Sequence, residues 1–150
     1  MNLSSTAMII LSAFGLLISI GIHLLAVLNI YLVPNSVIFV LTAGALLAWL
    51  QSSRNMKTLH LANTDLHPWK AAFKSCPPWL KYLTYFLFIY ALFNFAMVMS
   101  FKGGDGYLNF VISQKKLRGL SGFWIAFYGL GLSSAMALRS DEGNMPARED

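Results

Sequence analysis

No Asp, Glu, Lys or Arg occurs among the first 53 residues, and Val33-Pro34-Asn35-Ser36 divides that stretch into two apolar runs. A helix rises about 1.5 Å per residue, so roughly 20 residues cross the ~30 Å hydrocarbon core of a bilayer. Each run has that reach, and two further charge-free runs follow at 82–101 and 119–138. In hydrocarbon the backbone must satisfy its own hydrogen bonds, which restricts such segments to helices or closed barrels. Four apolar runs of this length point to an all-α, membrane-spanning four-helix bundle.

Composition agrees. The 150-residue chain is 57% hydrophobic and 11% charged, whereas soluble domains carry about a quarter charged residues. Four crossings use more than half of the chain and leave no room for a second core, so one domain is expected over residues 1–138. The first run exceeds the 7–15 residues of a signal-peptide core and lacks a preceding basic residue, so it is expected to stay as an anchor. Cys76 is the single cysteine, so neither an intrachain disulfide nor a Cys-based metal site is available. The net charge of +5 sits in the loops, where it bears on orientation and lipid headgroups rather than on nucleic acid.

The spans are expected near 6–32, 36–51, 79–101 and 119–138. Asn2, Ser4, Ser5 and Thr6 are available to cap the first, Pro34 should end it near Leu32, and Asn35 or Ser36 should cap the second. Trp49 and Trp79 fall near span ends, where aromatic rings favour the headgroup zone. In the central loop, Pro68 precedes Trp69, Lys70, Phe73 and Lys74, with the rings on one helical face and the ammonium groups on another. That pattern predicts a short interfacial amphipathic helix over 68–74. Residues 107–112 are β-favouring, and the polar tail 139–150 reads as disordered.

Four antiparallel crossings put both termini and the central loop on one side. That side holds seven basic residues (Arg54, Lys57, Lys70, Lys74, Lys81, Arg139, Arg148) against four on the other (Lys102, Lys115, Lys116, Arg118). The positive-inside rule then places both termini in the cytoplasm.

Polar and small residues inside the spans carry what else is readable. Ser12, Gly15, Ser19, His23 and Ala26 share one face of the first span, and Gly122, Ala126, Gly129 and Ser133 share one face of the fourth. Small residues at this spacing let backbones approach closely, so both faces read as packing seams. His23 and Asn94 should lie at similar depth, with Thr42, Tyr90 and Tyr128 near the same level. Unpaired polar groups are costly in hydrocarbon, so these five should turn inward as one polar cluster.

Gly119-Leu120-Ser121-Gly122 has the G-x-S-G form found in rhomboid-type intramembrane proteases, where a helix-end Ser works with a membrane His. His23 is the sole intramembrane candidate for that base, and residue counting puts it about 6 Å deeper than Ser121. The match also lacks the six-span core and the order in which His follows Ser. A b-type haem would normally require two facing imidazoles, and ion-coupled transport usually requires a buried carboxylate, which no span contains. No metal or cofactor is expected.

Two stretches, Cys76-Pro77-Pro78-Trp79-Leu80-Lys81-Tyr82 through Asn94-Phe95 and Arg118 through Tyr128, resemble a group of small, uncharacterised bacterial membrane proteins with about four spans. The resemblance implies a bacterial inner-membrane location and no activity; in that group a His often stands where this chain has Phe123. The expected function is therefore non-enzymatic, through helix association with itself or with membrane partners. The alternatives are a carrier or pore for a neutral or lipid-like solute at the His23/Asn94 level, and an intramembrane serine hydrolase using Ser121 and His23.

Overall fold

The computed structural model of the chain describes residues 4–30, 33–62, 70, 73–100 and 114–144. They form four helices: α1 (Ser5–Val27), α2 (Asn35–Ala62), α3 (Pro78–Ser100) and α4 (Gln114–Asn144). All four are long and apolar enough to cross a membrane, and there is no strand among the described residues. The expected β-favouring stretch at 107–112 lies outside them. So does most of 68–74, including Trp69, and the interfacial helix is not shown.

Local chemistry accounts for the helix ends. Ser4 caps α1 by accepting a hydrogen bond from the Ala7 amide at 3.3 Å. The same helix stops at Val27, five residues before the expected Leu32. Asn29 takes a left-handed conformation (φ 59°), while the Ile30 amide donates to the Leu25 carbonyl and the Asn29 amide to that of Ala26. That is a Schellman ending with Asn in the position usually held by Gly, so Pro34 acts later. It begins α2, its carbonyl accepting from the Val37 and Ile38 amides, and Asn35 is the first helical residue rather than the cap. Pro77 plays the same part for α3, with Pro78 at the first helical position, where a missing N–H costs nothing. Helix α4 begins at Gln114, before the expected 119, and continues to Asn144, through the start of the stretch that composition reads as disordered.

The helices do not share the core equally. In α4, 72% of the apolar stretch is buried, against 33%, 33% and 28% in α1, α2 and α3. Helix α4 is the axis: α1 and α2 pack on it and more sparsely on each other, whereas α3 packs chiefly on α4. It is also the helix richest in Gly and Ser among the four spans. The logic suits a lipid solvent, because the least apolar helix is shielded and the outer three turn Phe14, Leu17, Phe39, Val40, Phe86 and Ile89 outward.

Register follows from the contacts. Ser12 lies against Gly131, Gly15 against Tyr128, and His23 bonds Ser121, so α1 runs antiparallel to α4. Thr42 bonds Trp124 and Ser52 bonds Ser134, so α2 runs parallel to α4. Leu87 lies against Gly129 and Asn94 against Gly122, so α3 is antiparallel to it. Both small-residue seams thus face inward within one protomer. The Tyr128 ring occupies the space that Cβ atoms on Gly15 and Gly44 would need, and a Cβ on Gly129 would sit 2.7 Å from Leu87 Cδ1. Ala126 and Ser133 are buried on the same helix, and Ser12 and Ser19 on α1 are fully enclosed.

Candidate functional site

Near one end of the bundle, five side chains from three helices join in a closed hydrogen-bond ring. His23 of α1 lies between Ser121 of α4, with Nδ1 2.8 Å from the Ser Oγ, and Tyr90 of α3, with Nε2 2.6 Å from the phenol oxygen. Asn94 donates from Nδ2 to the Tyr90 carbonyl at 2.9 Å and accepts from Arg118 Nε at 3.2 Å. The Ser121 hydroxyl lies 3.2 Å from the Arg118 carbonyl. Ser121, Asn94 and His23 are 0%, 1% and 4% exposed. The His23 and Tyr90 rings meet edge-on at 5.4 Å, and Phe86 stacks on Tyr90 at 6.2 Å.

Proton counting selects the imidazole tautomer. With the proton on Nδ1, Tyr90 donates to Nε2, Nδ1–H donates to Ser121 Oγ, and Ser121 donates to the Arg118 carbonyl. Each of these donors then has an acceptor. With the proton on Nε2, the Tyr90 hydroxyl hydrogen would have no acceptor among the described residues. Unpaired donors are expensive in low dielectric, so the Nδ1–H form is favoured.

Depth explains how His23 and Ser121 meet. Because α1 spans Ser5–Val27, His23 lies about 10 Å beyond its middle at 1.5 Å per residue. Because α4 begins at Gln114, Ser121 is already two turns inside it. The expected separation of about 6 Å in depth therefore disappears.

The expected five-residue cluster divides. His23, Tyr90 and Asn94 join the ring, together with Arg118 and Ser121. Thr42 instead accepts from Trp124 Nε1 at 3.1 Å and donates to the Ile38 carbonyl at 2.8 Å. Tyr128 donates to the Leu41 carbonyl at 3.0 Å. Further along, Ser134 donates to Ser52 at 3.1 Å, and Thr84 bonds Ser133. These contacts form a ladder along α4, each rung tying it to one outer helix. Sequence reasoning missed Arg118 and Trp124 as network members. Their signal was position: four residues before and two after Gly122, they flank the start of the seam on the helix that needs most shielding.

The residues expected at the interface vary in environment. Trp79 is 62% and Trp49 44% exposed, with Trp49 6.3 Å from the Phe127 ring. Lys70 and Lys74 are exposed. Phe73 is 4% exposed and packs on Tyr85 at 5.4 Å, inside a cluster with Leu59, Cys76 and Leu80. Phe123, at the position where the resembling group often carries His, meets Phe95 edge-on at 5.2 Å.

Ser121 beside an imidazole invites comparison with a catalytic dyad. Nucleophilic catalysis also requires donors for the developing oxyanion, commonly backbone N–H groups left free in the first turn of a helix. Ser121 stands seven residues after the first residue of α4, where amides are committed to the helix itself. In the favoured tautomer, moreover, its hydroxyl donates to a carbonyl and not to the imidazole. No set of three or more His, Cys, Asp or Glu side chains among the described residues converges as a metal site would require. Comparison with known proteins found no matching family model, curated sequence or solved structure.

Proposed function

We propose that the chain is a non-enzymatic, multi-pass protein of the bacterial inner membrane, with both termini cytoplasmic, that works by helix association in the bilayer with a second copy or a membrane-protein partner. One observation carries this reading: α3 rests chiefly on α4 and leaves Tyr82, Phe86, Ile89 and Phe93 exposed at 69%, 62%, 68% and 60% along one helical face. Lipid gives apolar faces no net drive to associate, but aromatic contacts add about 0.5–1.5 kcal/mol per pair beyond area. The small-residue seams are occupied within the protomer, so a partner would meet an outer face, and the α3 face differs from those of α1 and α2 in gathering three aromatic rings, Tyr82, Phe86 and Phe93. The ladder along α4 supports the same reading, since it makes the protomer a rigid body that presents this face.

The test is crosslinking in native membranes with a cysteine at Phe86, in a Cys76→Ser background. The replacement leaves the introduced thiol as the single one in the chain; the native thiol is itself held unreactive, because burial pushes its pKa up, a shift that Lys81 only partly offsets. Phe86→Cys should give one discrete crosslinked species, and Phe14→Cys on the outer face of α1 should give little. Equal random ladders from both positions, or monomer alone from Phe86→Cys, would count against this reading.

The carrier reading would need a path past the ring of Tyr128 wedged between Gly15 and Gly44, and the packing there favours a closed core. The hydrolase reading draws on the 2.8 Å Ser121–His23 contact. It has a direct test in membranes treated with a fluorophosphonate probe. Wild type should stay unlabelled, like Ser121→Ala; labelling that Ser121→Ala abolishes would reinstate the hydrolase.

A further inference from the structure

At the opposite end of the bundle from the His23 ring lies an open cleft of about 440 Å³, lined by Ile9, Ser75, Pro77, Met136, Arg139 and Ser140. Its walls come from the start of α1, the approach to α3 and the last turns of α4. The lining is amphipathic in a definite sense. Ile9, Pro77 and Met136 supply apolar surface continuous with the spans, whereas Ser75, Arg139 and Ser140 supply two hydroxyls and a guanidinium. Arg139 is the first charge after the uncharged run 119–138, which puts it at the boundary between hydrocarbon and headgroups. It has no carboxylate partner among the described residues, and its neighbour Ser140 is exposed beside it. Asp141, two residues further along the chain, accepts from Ser75 Oγ at 3.5 Å.

We propose that this cleft holds the phosphate of an anionic phospholipid, with Arg139 forked on the phosphate oxygens, Ser75 and Ser140 donating to them, and the first acyl carbons against Ile9 and Met136. A guanidinium suits this task because its planar donors match phosphate geometry two at a time. The volume falls in the range of small-ligand sites. The surrounding charge leans towards an anion rather than a zwitterion: Arg54, Lys57, Lys70, Lys74, Lys81 and Arg139 belong to the same end of the molecule, against Asp65, Asp141 and Glu142 in those segments. A free phosphate ion would satisfy Arg139 equally but would leave the apolar wall unused; the lipid uses both.

The experiment is native mass spectrometry of the full-length protein in neutral detergent, offered phosphatidylglycerol or phosphatidylcholine at equal concentration. Wild type should retain phosphatidylglycerol in preference to phosphatidylcholine, and Arg139→Gln should weaken that retention roughly fivefold. Lys57→Gln, the same charge loss at a position outside the cleft, should lower it much less, because it removes only a share of the diffuse basic field. Asp141→Asn should strengthen it by removing the competing carboxylate, a gain that misfolding would not produce. Equal retention of both lipids, equal losses in Arg139→Gln and Lys57→Gln, or no gain in Asp141→Asn would overturn the proposal. Displacement of the lipid by millimolar inorganic phosphate would overturn the lipid assignment in favour of the free ion.

Discussion

Gly15→Val will lower the stability of the folded bundle by about 2–4 kcal/mol, in the upper range for overpacking because the neighbour has nowhere to go. A Cβ at this position falls within the Tyr128 ring, and the hydroxyl end of that ring already lies against Gly44. Tyr128 is 2% exposed and holds α2 through its 3.0 Å bond to the Leu41 carbonyl. Moving the ring off Gly15 therefore breaks that bond or forces α1 away from α4. Both outcomes cost more than the loss of glycine's backbone entropy returns, which is roughly 1 kcal/mol in a helix. The measurement is reversible unfolding in mixed micelles by tryptophan fluorescence. Gly21→Val supplies the contrast, since nothing lies within 4 Å of a Cβ there and the change should be near neutral. Equal effects at Gly15 and Gly21 would show that α1 does not meet α4 along this face.

His23→Leu will cost about 1–3 kcal/mol, because it leaves the half-buried Tyr90 phenol without its acceptor and takes the imidazole donor from the buried Ser121 hydroxyl, which keeps its bond to the Arg118 carbonyl. Individual membrane hydrogen bonds average only ~0.6 kcal/mol, with a maximum near 1.7, because the separated helices also find partners. The double-mutant cycle with Tyr90→Phe is therefore the sharper quantity. Once His23 is gone, the Tyr90 hydroxyl has no imidazole to bond, so Tyr90→Phe should be nearly free in that background. The coupling energy should fall between about 0.6 and 1.7 kcal/mol. Additive single effects would mean that the ring is not closed in the bilayer.

Several features were legible in the residues because they are local. The lack of charge over 1–53 and 119–138 marks segments apolar enough to cross a membrane, where an irregular backbone would find no water to hydrogen-bond it and a helix satisfies itself. Ser4, one of the capping residues available before the first span, follows from the donors that a helix start leaves unmet. The inward faces of α1 and α4 were legible too, because helical period assigns residues to a face before any partner is known.

The pairing of these faces was not legible, and the reason is geometric. Helical period gives a direction around one axis but no position along a neighbour's. That offset depends on where each helix stops, here on Asn29 adopting a left-handed turn and on α4 starting at Gln114. Small shifts at both ends brought His23 level with Ser121 and sent Thr42 to Trp124 and Tyr128 to the Leu41 carbonyl. The amino-acid sequence alone determined four helices long and apolar enough to cross a membrane, and which faces of α1 and α4 turn inward. Tertiary structure decided that α4 forms the axis and that both small-residue seams are filled within one protomer. It could do so because close packing of backbones, at Gly15 and Gly44 around one tyrosine ring, depends on all three helices together.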